Sequence, residues 1–398
     1  MNPADFASLL TNRGQDLLDR LTGGYEESAV LSLSAKLRTE FPPDLVAAAL
    51  TQARLRDRAK AKFGARADRM YFTTAGYEQA TRTAVADLRA QRYKLAGLRR
   101  VADLCCGIGG DALAFAEAGI EVLAVDRDPV TCAVLEANAR AFDLDHMIEV
   151  RCADVETVDL TGCDAVFLDP ARRTDRGRTF DPEADSPSWS FAVNLAAEGT
   201  RAAGFKVAPG LPHELIPEGA QAEWVSDHGD VKEAGIYFGA LVGPGAASRQ
   251  ATLLPGPHRL DSAGVPDPTP GPIGSHLYEP DGAVIRAHLL GELARQVGAH
   301  TIDPTIAYLT ADRALPADNP FATSYEITDV LPFNVKRLRA IVAERGYGTL
   351  TIKKRGADID PALLRKQLRP NGPHDAVLIV TRAAGAHTAI LARQDRNT

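Results

Sequence analysis

Through about residue 98 the apolar positions recur at helical spacing. Ala7-Ser8-Leu9-Leu10, Leu17-Leu18 and, after the stop at Pro42-Pro43, Leu45 to Leu50 mark successive helices, so residues 1–98 read as an N-terminal helical domain. From residue 99 the rhythm changes. Short apolar runs at Val101 to Leu104, Val122 to Val125, Ile148 to Val150, Ala165 to Leu168 and Gly204 to Val207 alternate with helical patterns at Ala112 to Ala118 and Val130 to Ala141. That alternation predicts an α/β domain with a mostly parallel, doubly wound sheet over 99–274. Six prolines crowd Pro255 to Gly274, where neither a helix nor a central strand can run, which marks a boundary or a long loop. Asp281 to Gly298 returns to helical periodicity and Ile306 to Leu309 to a short apolar run, giving a small segment over 275–326. From about Ile327 the order is strand, helix (Asn334 to Glu344), strand (Thr349 to Lys353), helix (Pro361 to Leu368), then strands at Ala376 to Thr381 and Thr388 to Leu391. This predicts a compact α+β module over 327–398.

Composition narrows the class. The 398 residues suffice for two or three domains, and 45% hydrophobic with 24% charged residues is ordinary globular usage. No apolar run approaches the ~18 residues of a membrane span, and Met1-Asn2-Pro3-Ala4-Asp5-Phe6 is not a basic leader. A cytoplasmic protein with no membrane partner is expected. Five cysteines confined to Cys105–Cys163, without a C-x-x-C pair, read as reduced thiols and give no metal site. The net charge of −7 excludes a chain that coats nucleic acid with its whole surface. A local patch is another matter. Between Phe333 and Arg369 ten basic residues (Lys336, Arg337, Arg339, Arg345, Lys353, Lys354, Arg355, Arg365, Lys366, Arg369) stand against Glu344, Asp358 and Asp360. Spread over three successive elements, they point to RNA, with each phosphate neutralised adding salt-dependent affinity. Arg172, Arg173, Arg176 and Arg178 form a second cluster that could draw a phosphate backbone toward the sheet.

Candidate chemistry lies at the carboxyl ends of the first four strands, where open α/β sheets bind ligands. Asp103 is followed by Cys105-Cys106-Gly107-Ile108-Gly109-Gly110-Asp111, a turn that lets a ligand approach the backbone at a helix start. Asp126 ends the second strand, where a carboxylate accepts from ribose hydroxyls. Both features would also suit a nicotinamide enzyme. Asp103 separates the readings, because a carboxylate there repels dinucleotide phosphates but pairs with the cationic amino group of S-adenosyl-L-methionine. Asp154, after the third strand, is placed for an adenine amino group. Asp169-Pro170-Ala171-Arg172-Arg173 closes the fourth strand at the pocket mouth.

The stretch from Asp103 to Arg173 resembles a class I S-adenosylmethionine-dependent methyltransferase, whose first loop usually reads acidic-x-Gly-x-Gly-x-Gly; here Cys105 takes the first glycine position. A longer resemblance covers nearly the whole chain, to a bacterial group of methyltransferases with a C-terminal THUMP-like domain. Its signatures are Met70-Tyr71-Phe72-Thr73 with Gln79-Ala80-Thr81, the Asp103–Asp111 turn, Asp169–Arg173, Tyr278-Glu279-Pro280 and Ile352-Lys353-Lys354-Arg355-Gly356. The resemblance implies a Rossmann-like core, a ferredoxin-like segment and a THUMP-like module. On these motifs, Thr73, Asp103, Cys105, Gly107, Gly109, Asp111, Asp126, Asp154 and Asp169 are expected around the cofactor, with Asp169, Pro170 and Arg172 at the reacting centre. Arg172, Arg173, Lys336, Lys353, Lys354, Arg355, Arg365 and Lys366 are expected on RNA.

The acceptor is less constrained. Pyrimidine C5 methylation uses a cysteine on the fourth-strand turn or beyond, and none follows Cys163. Exocyclic amino methylation usually carries Asn/Asp-Pro-Pro-aromatic, from which Ala171 and Arg172 depart. A ring nitrogen, an exocyclic amine or a ribose hydroxyl stay open, with Asp169 as orienting group or base. The leading expectation is methylation of tRNA or rRNA. A methyltransferase for a protein or small molecule, and a binding protein that has lost catalysis, are the alternatives.

Overall fold

The computed structural model describes residues 3–22, 28, 30–170, 182–199 and 201–395. The chain divides into two compact units, residues 1–221 with 234–246 and residues 222–233 with 247–398.

The first unit opens with helices α1 (Pro3–Leu9), α2 (Asn12–Leu21), α3 (Val30–Leu37), α4 (Pro43–Phe63), α5 (Thr74–Gln79) and α6 (Thr83–Leu95). Their starts follow local chemistry: Thr11 caps α2 by accepting from the Gly14 N–H, and Pro43 opens α4, where a missing N–H costs nothing. Then come β1 (Arg100–Leu104), α7 (Gly110–Glu117), β2 (Glu121–Asp126), α8 (Pro129–Ala141), β3 (Ile148–Cys152), β4 (Ala165–Leu168), α9 (Trp189–Ala197) and β5 (Ala202–Val207). Strands β3, β2, β1, β4 and β5 pair in that order, all parallel. After β6 (Gln221–Asp227), the strand β7 (Asp230–Phe238) pairs antiparallel with β5 through Ala234 to Phe238.

The helical segment 1–98, expected as a domain of its own, shares one core with the sheet. Phe6, Leu17, Val46, Phe72 and Tyr93 pack in the same buried cluster as Ile108, Phe115 and Phe167. Polar ties reinforce the junction: buried Asn138 of α8 accepts from Tyr71 N–H at 2.6 Å and donates to Ile108 O at 2.9 Å, while Tyr93 OH donates to Val166 O at 2.9 Å. These helices bury their apolar faces on one another and on the sheet, and that burial holds them in place.

In the second unit β6 pairs parallel with β8 (Arg249–Leu254), which pairs antiparallel with the edge strand β9 (His258–Asp261). Residues 222–233 and 247–274, expected with the α/β domain, therefore belong to this unit. The proline-rich stretch contains β9 and then runs beside a later strand: Gly271 N–H donates to Thr301 O and Thr301 Oγ1 to Pro268 O. A seven-stranded sheet follows, built from β10 (His276–Pro280), β11 (His300–Asp303), β12 (Ile306–Ala311), β13 (Ala322–Pro332), β14 (Tyr347–Lys354), β15 (His374–Ala383) and β16 (Ala386–Gln394), in the order β11-β12-β10-β13-β16-β15-β14. The expected helical stretch 281–298 is two helices, α10 (Gly282–Arg286) and α11 (Leu290–Val297), broken where His288 takes a φ of 53°. The boundary drawn at 326/327 falls inside β13, whose two edges pair with β10 and β16, so both segments share one sheet. Helices α12 (Val335–Glu344) and α13 (Pro361–Leu368) cover one face of it through Leu338, Val342, Leu364 and Leu368.

Candidate active site

Strand β1 sits at the centre of the parallel sheet, and its register opposite Ala124 and Phe167 places Asp103 between two apolar strands. Asp103 is 1% exposed, and neither carboxylate oxygen has a hydrogen-bond partner. Burial, and then the neighbouring charges of Asp111 and Asp169, push its pKa well above the ordinary 3.8. A buried carboxylate with neither oxygen hydrogen-bonded is costly, and it marks where a cationic ligand group would be stabilised.

The turn after β1 is left-handed at alternate positions, with φ of 64° at Cys105, 55° at Gly107 and 92° at Gly109. A Cβ at Gly107 would meet nothing, so that side of the turn is open to a ligand. Cys105 therefore stands where the backbone favours glycine. We expect Cys105→Gly to fold with nearly unchanged thermal stability and cofactor affinity. Cys105→Val should lose about 1–2 kcal/mol, because a β-branched residue resists this φ; melting curves and calorimetric titration of both variants check it. Burial pushes the Cys105 thiol to about 12, and the Cys106 thiol also rises. Both are protonated thiols at neutral pH rather than nucleophiles.

Asp126 braces the turn: its half-buried carboxylate accepts from Gly107 N–H at 3.1 Å and from Asp128 N–H at 3.0 Å. Asp128 itself is spent on capping α8. Asp154 is exposed beyond β3, held by an Asx turn to Glu156 N–H at 3.0 Å. Two residues expected at the cofactor have structural partners instead. Thr73 caps α5 by accepting from Gly76 N–H at 2.9 Å. Asp111, buried in the first turn of α7, accepts from Thr81 Oγ1 at 2.6 Å and pairs with the Arg89 guanidinium. That guanidinium also lies 4.2 Å from the Phe167 ring centroid, and these contacts hold α6 against the sheet.

Asp169 follows β4, and its N–H donates to Leu104 O at 3.2 Å, which sets it beside the glycine turn. Its Oδ2 accepts from Lys206 Nζ at 2.6 Å, and the same ammonium donates to Thr81 Oγ1 at 3.1 Å. A continuous polar chain thus runs Asp169, Lys206, Thr81, Asp111, Arg89. Sequence reasoning missed Lys206, although a single charged residue in the apolar run Ala202–Val207, at the carboxyl end of β5, was a usable signal. Beside it Leu168, Pro170, Trp189, Phe205 and Lys206 line a small recess. Arg172 and Arg173, with Arg176 and Arg178, lie outside the described residues.

In the second unit the expected RNA contacts divide. Lys353 Nζ pairs with Glu279 at 2.5 Å, Arg355 Nη1 donates to Ala307 O at 2.9 Å, Lys354 Nζ to Ile359 O at 2.7 Å, and Arg365 Nε to Leu350 O at 3.2 Å. The signatures Tyr278-Glu279-Pro280 and Ile352–Gly356 thus meet in an internal ion pair, with Tyr325 OH also donating to Glu279 at 2.9 Å. Lys336 and Lys366 remain exposed.

Over 315 residues, 78% of this chain and 84% of the relative, the sequence is 33% identical to an uncharacterised S-adenosylmethionine-dependent methyltransferase of Mycobacterium tuberculosis (strain CDC 1551 / Oshkosh). The chain belongs to this methyltransferase family. The counterpart in Mycobacterium tuberculosis (strain ATCC 25618 / H37Rv) matches equally. Residues 98–182 of this methyltransferase match the family described as RNA cap guanine-N2 methyltransferase, residues 322–394 the THUMP domain-like family, and residues 2–59 a domain of unknown function. The fold is shared with the crystal structure of a candidate methyltransferase from Porphyromonas gingivalis W83, at a TM-score of 0.71 and 18% identity, covering 94% of this chain and all of that one. The cofactor is S-adenosylmethionine. The site suits it: the orphaned Asp103 carboxylate is complementary to a cation, and the glycine turn leaves room beside it. Among the described residues no helix is long and apolar enough to cross a membrane, and no group of three or more His, Cys, Asp or Glu could hold a metal.

Proposed function

We propose that this methyltransferase modifies RNA, at a ring or exocyclic nitrogen of a tRNA or rRNA base. The observation that carries the reading is the match of residues 98–182 to an RNA-methylating family, since that segment spans Asp103, the glycine turn, Asp126, Asp154 and Asp169. The THUMP-like match and the basic character of residues 333–369 support the same acceptor.

In this reading Asp103 pairs with the cofactor's amino group and Asp126 accepts from its ribose. Asp154, exposed on the neighbouring strand end, faces the adenine. Asp111 is matched by Arg89 and Asp169 by Lys206, so the carboxyl group open to a cationic ligand group is Asp103, which ionises against that cation. Because Oδ2 of Asp169 is held by Lys206, its other oxygen is left to accept from an N–H of the acceptor base. A base reaching this pocket from a duplex has to leave the stack. The protonated Cys105 and Cys106 thiols disfavour covalent addition to a pyrimidine.

Mass spectrometry of nucleosides from total RNA of a strain lacking the gene tests this. One methylated nucleoside should disappear and return on complementation. An unchanged profile, together with no labelled methyl reaching that RNA from the purified enzyme, refutes it.

A further inference from the structure

Of the ten basic residues between Phe333 and Arg369, half are occupied within the chain. Lys353 pairs with Glu279, Arg345 with Asp329 at 3.0 Å, and Arg355, Lys354 and Arg365 donate to backbone carbonyls. The other five, Lys336, Arg337, Arg339, Lys366 and Arg369, are exposed, and among the described residues their side chains make no hydrogen bond or ion pair.

The sheet separates Lys353 and Arg355 from the exposed set. Leu350 and Ile352 of β14 pack under the helices, whereas Lys353 lies on the opposite sheet face, beside Tyr325. On α12 the buried positions are Leu338 and Val342, with Val335 and Ile341 packed beside them, so Lys336 points directly outward and Arg337 and Arg339 flank it. On α13 the buried positions Leu364 and Leu368 leave Lys366 outward. Arg369 closes that helix in the left-handed region, at φ 51°, where glycine or asparagine is usual. The two helices pack side by side on the sheet, so these cations share one face. Cations without internal partners keep their charge available for an external anion, while those already paired would first have to lose a contact.

Resting on the RNA reading above, we propose that the outer face of α12 and α13 is the RNA-backbone-binding surface of this unit, with Lys336, Arg337, Arg339, Lys366 and Arg369 as its phosphate contacts. Lys353 and Arg355 instead hold the sheet together through Glu279. The surface is sequence-independent and adds affinity, leaving the choice of nucleotide to the methyl-transfer pocket.

The test is filter binding of the full chain to bulk bacterial tRNA and, separately, rRNA across a salt series. The comparison is between wild type, a variant with Lys336, Arg337, Arg339, Lys366 and Arg369 all changed to Gln, and a charge-matched control with the exposed Lys36, Arg38, Arg54, Lys94 and Arg99 all changed to Gln. Each lost phosphate contact should flatten the slope of log affinity against log salt by about 0.7–0.9. We expect a flattening of at least ~2 in the helix-face variant and almost none in the control, with both melting like wild type. Tight, salt-dependent binding by wild type that the helix-face variant retains, or that the control loses equally, overturns the surface while leaving the RNA reading standing. Absence of salt-dependent binding to both tRNA and rRNA by the wild-type chain overturns both.

Discussion

Replacing Asp103 by asparagine is expected to weaken S-adenosylmethionine binding by about 100-fold while making the ligand-free enzyme more stable. Both effects have one origin, the carboxylate buried at 1% exposure with neither oxygen hydrogen-bonded. Its pKa is raised above 3.8, first by burial and then by Asp111 and Asp169, so the folded ligand-free chain favours the protonated acid. Below the unfolded-state value the group costs nothing. As pH rises toward the folded-state value, the unfolded chain releases its proton more readily and stability is progressively lost. Asp103→Asn has no such group, so its advantage in denaturant melts should be absent near pH 3 and widen toward neutrality. Binding should show the mirror image. A cationic amino group pairs with the carboxylate and not the acid, so wild-type affinity should rise with pH where the variant's stays flat. Calorimetric titration at several pH values reads the binding limb. Equal affinity of the two proteins at neutral pH would remove Asp103 from the cofactor site.

The parallel core was legible because its strands are short apolar runs ending in acidic residues, and Asp103, Asp126 and Asp169 all fall at strand ends as that pattern requires. Strand β6 was not. All seven residues of Gln221–Asp227 are buried, yet Gln221, Glu223, Ser226 and Asp227 are polar, and hydropathy hides such a strand. Its polarity is satisfied at a distance: Thr252 Oγ1 donates to Glu223 at 2.5 Å and Ser226 Oγ to Asp281 at 3.0 Å. The domain limits failed for a related reason. An apolar helix face looks the same whether it covers a neighbouring helix or a sheet, so the packing of Phe6, Phe72 and Tyr93 with Phe115 and Phe167 could not be read from spacing. The basic module shows the same limit. Charge counts include Lys353 and Arg355 equally with Lys336 and Lys366, and only three-dimensional pairing with Glu279 separates them.

Lys206 is the sharpest case, because its meaning depends on Asp169, 37 residues earlier, and on Thr81 in the helical segment. Its ammonium fixes one oxygen of Asp169 and ties that carboxylate through Thr81 to the Asp111–Arg89 pair, so the proposed orienting group is mounted on buried parts of the fold. Positioning of this kind acts on the reacting geometry more than on ground-state cofactor binding. We therefore expect Lys206→Met to slow single-turnover methyl transfer by about 100-fold, with S-adenosylmethionine affinity within about twofold of wild type. The assay uses RNA from a strain lacking the gene as acceptor. Lys206→Arg keeps a cation but not its reach and should recover part of the rate. Asp169→Asn should be as slow as Lys206→Met, and the double variant no slower than either, since residues acting as one unit are not additive. Independent losses that multiply in the double variant would mean that Lys206 and Asp169 serve separate steps. A fall in cofactor affinity matching the fall in rate would make Lys206 part of the cofactor site instead.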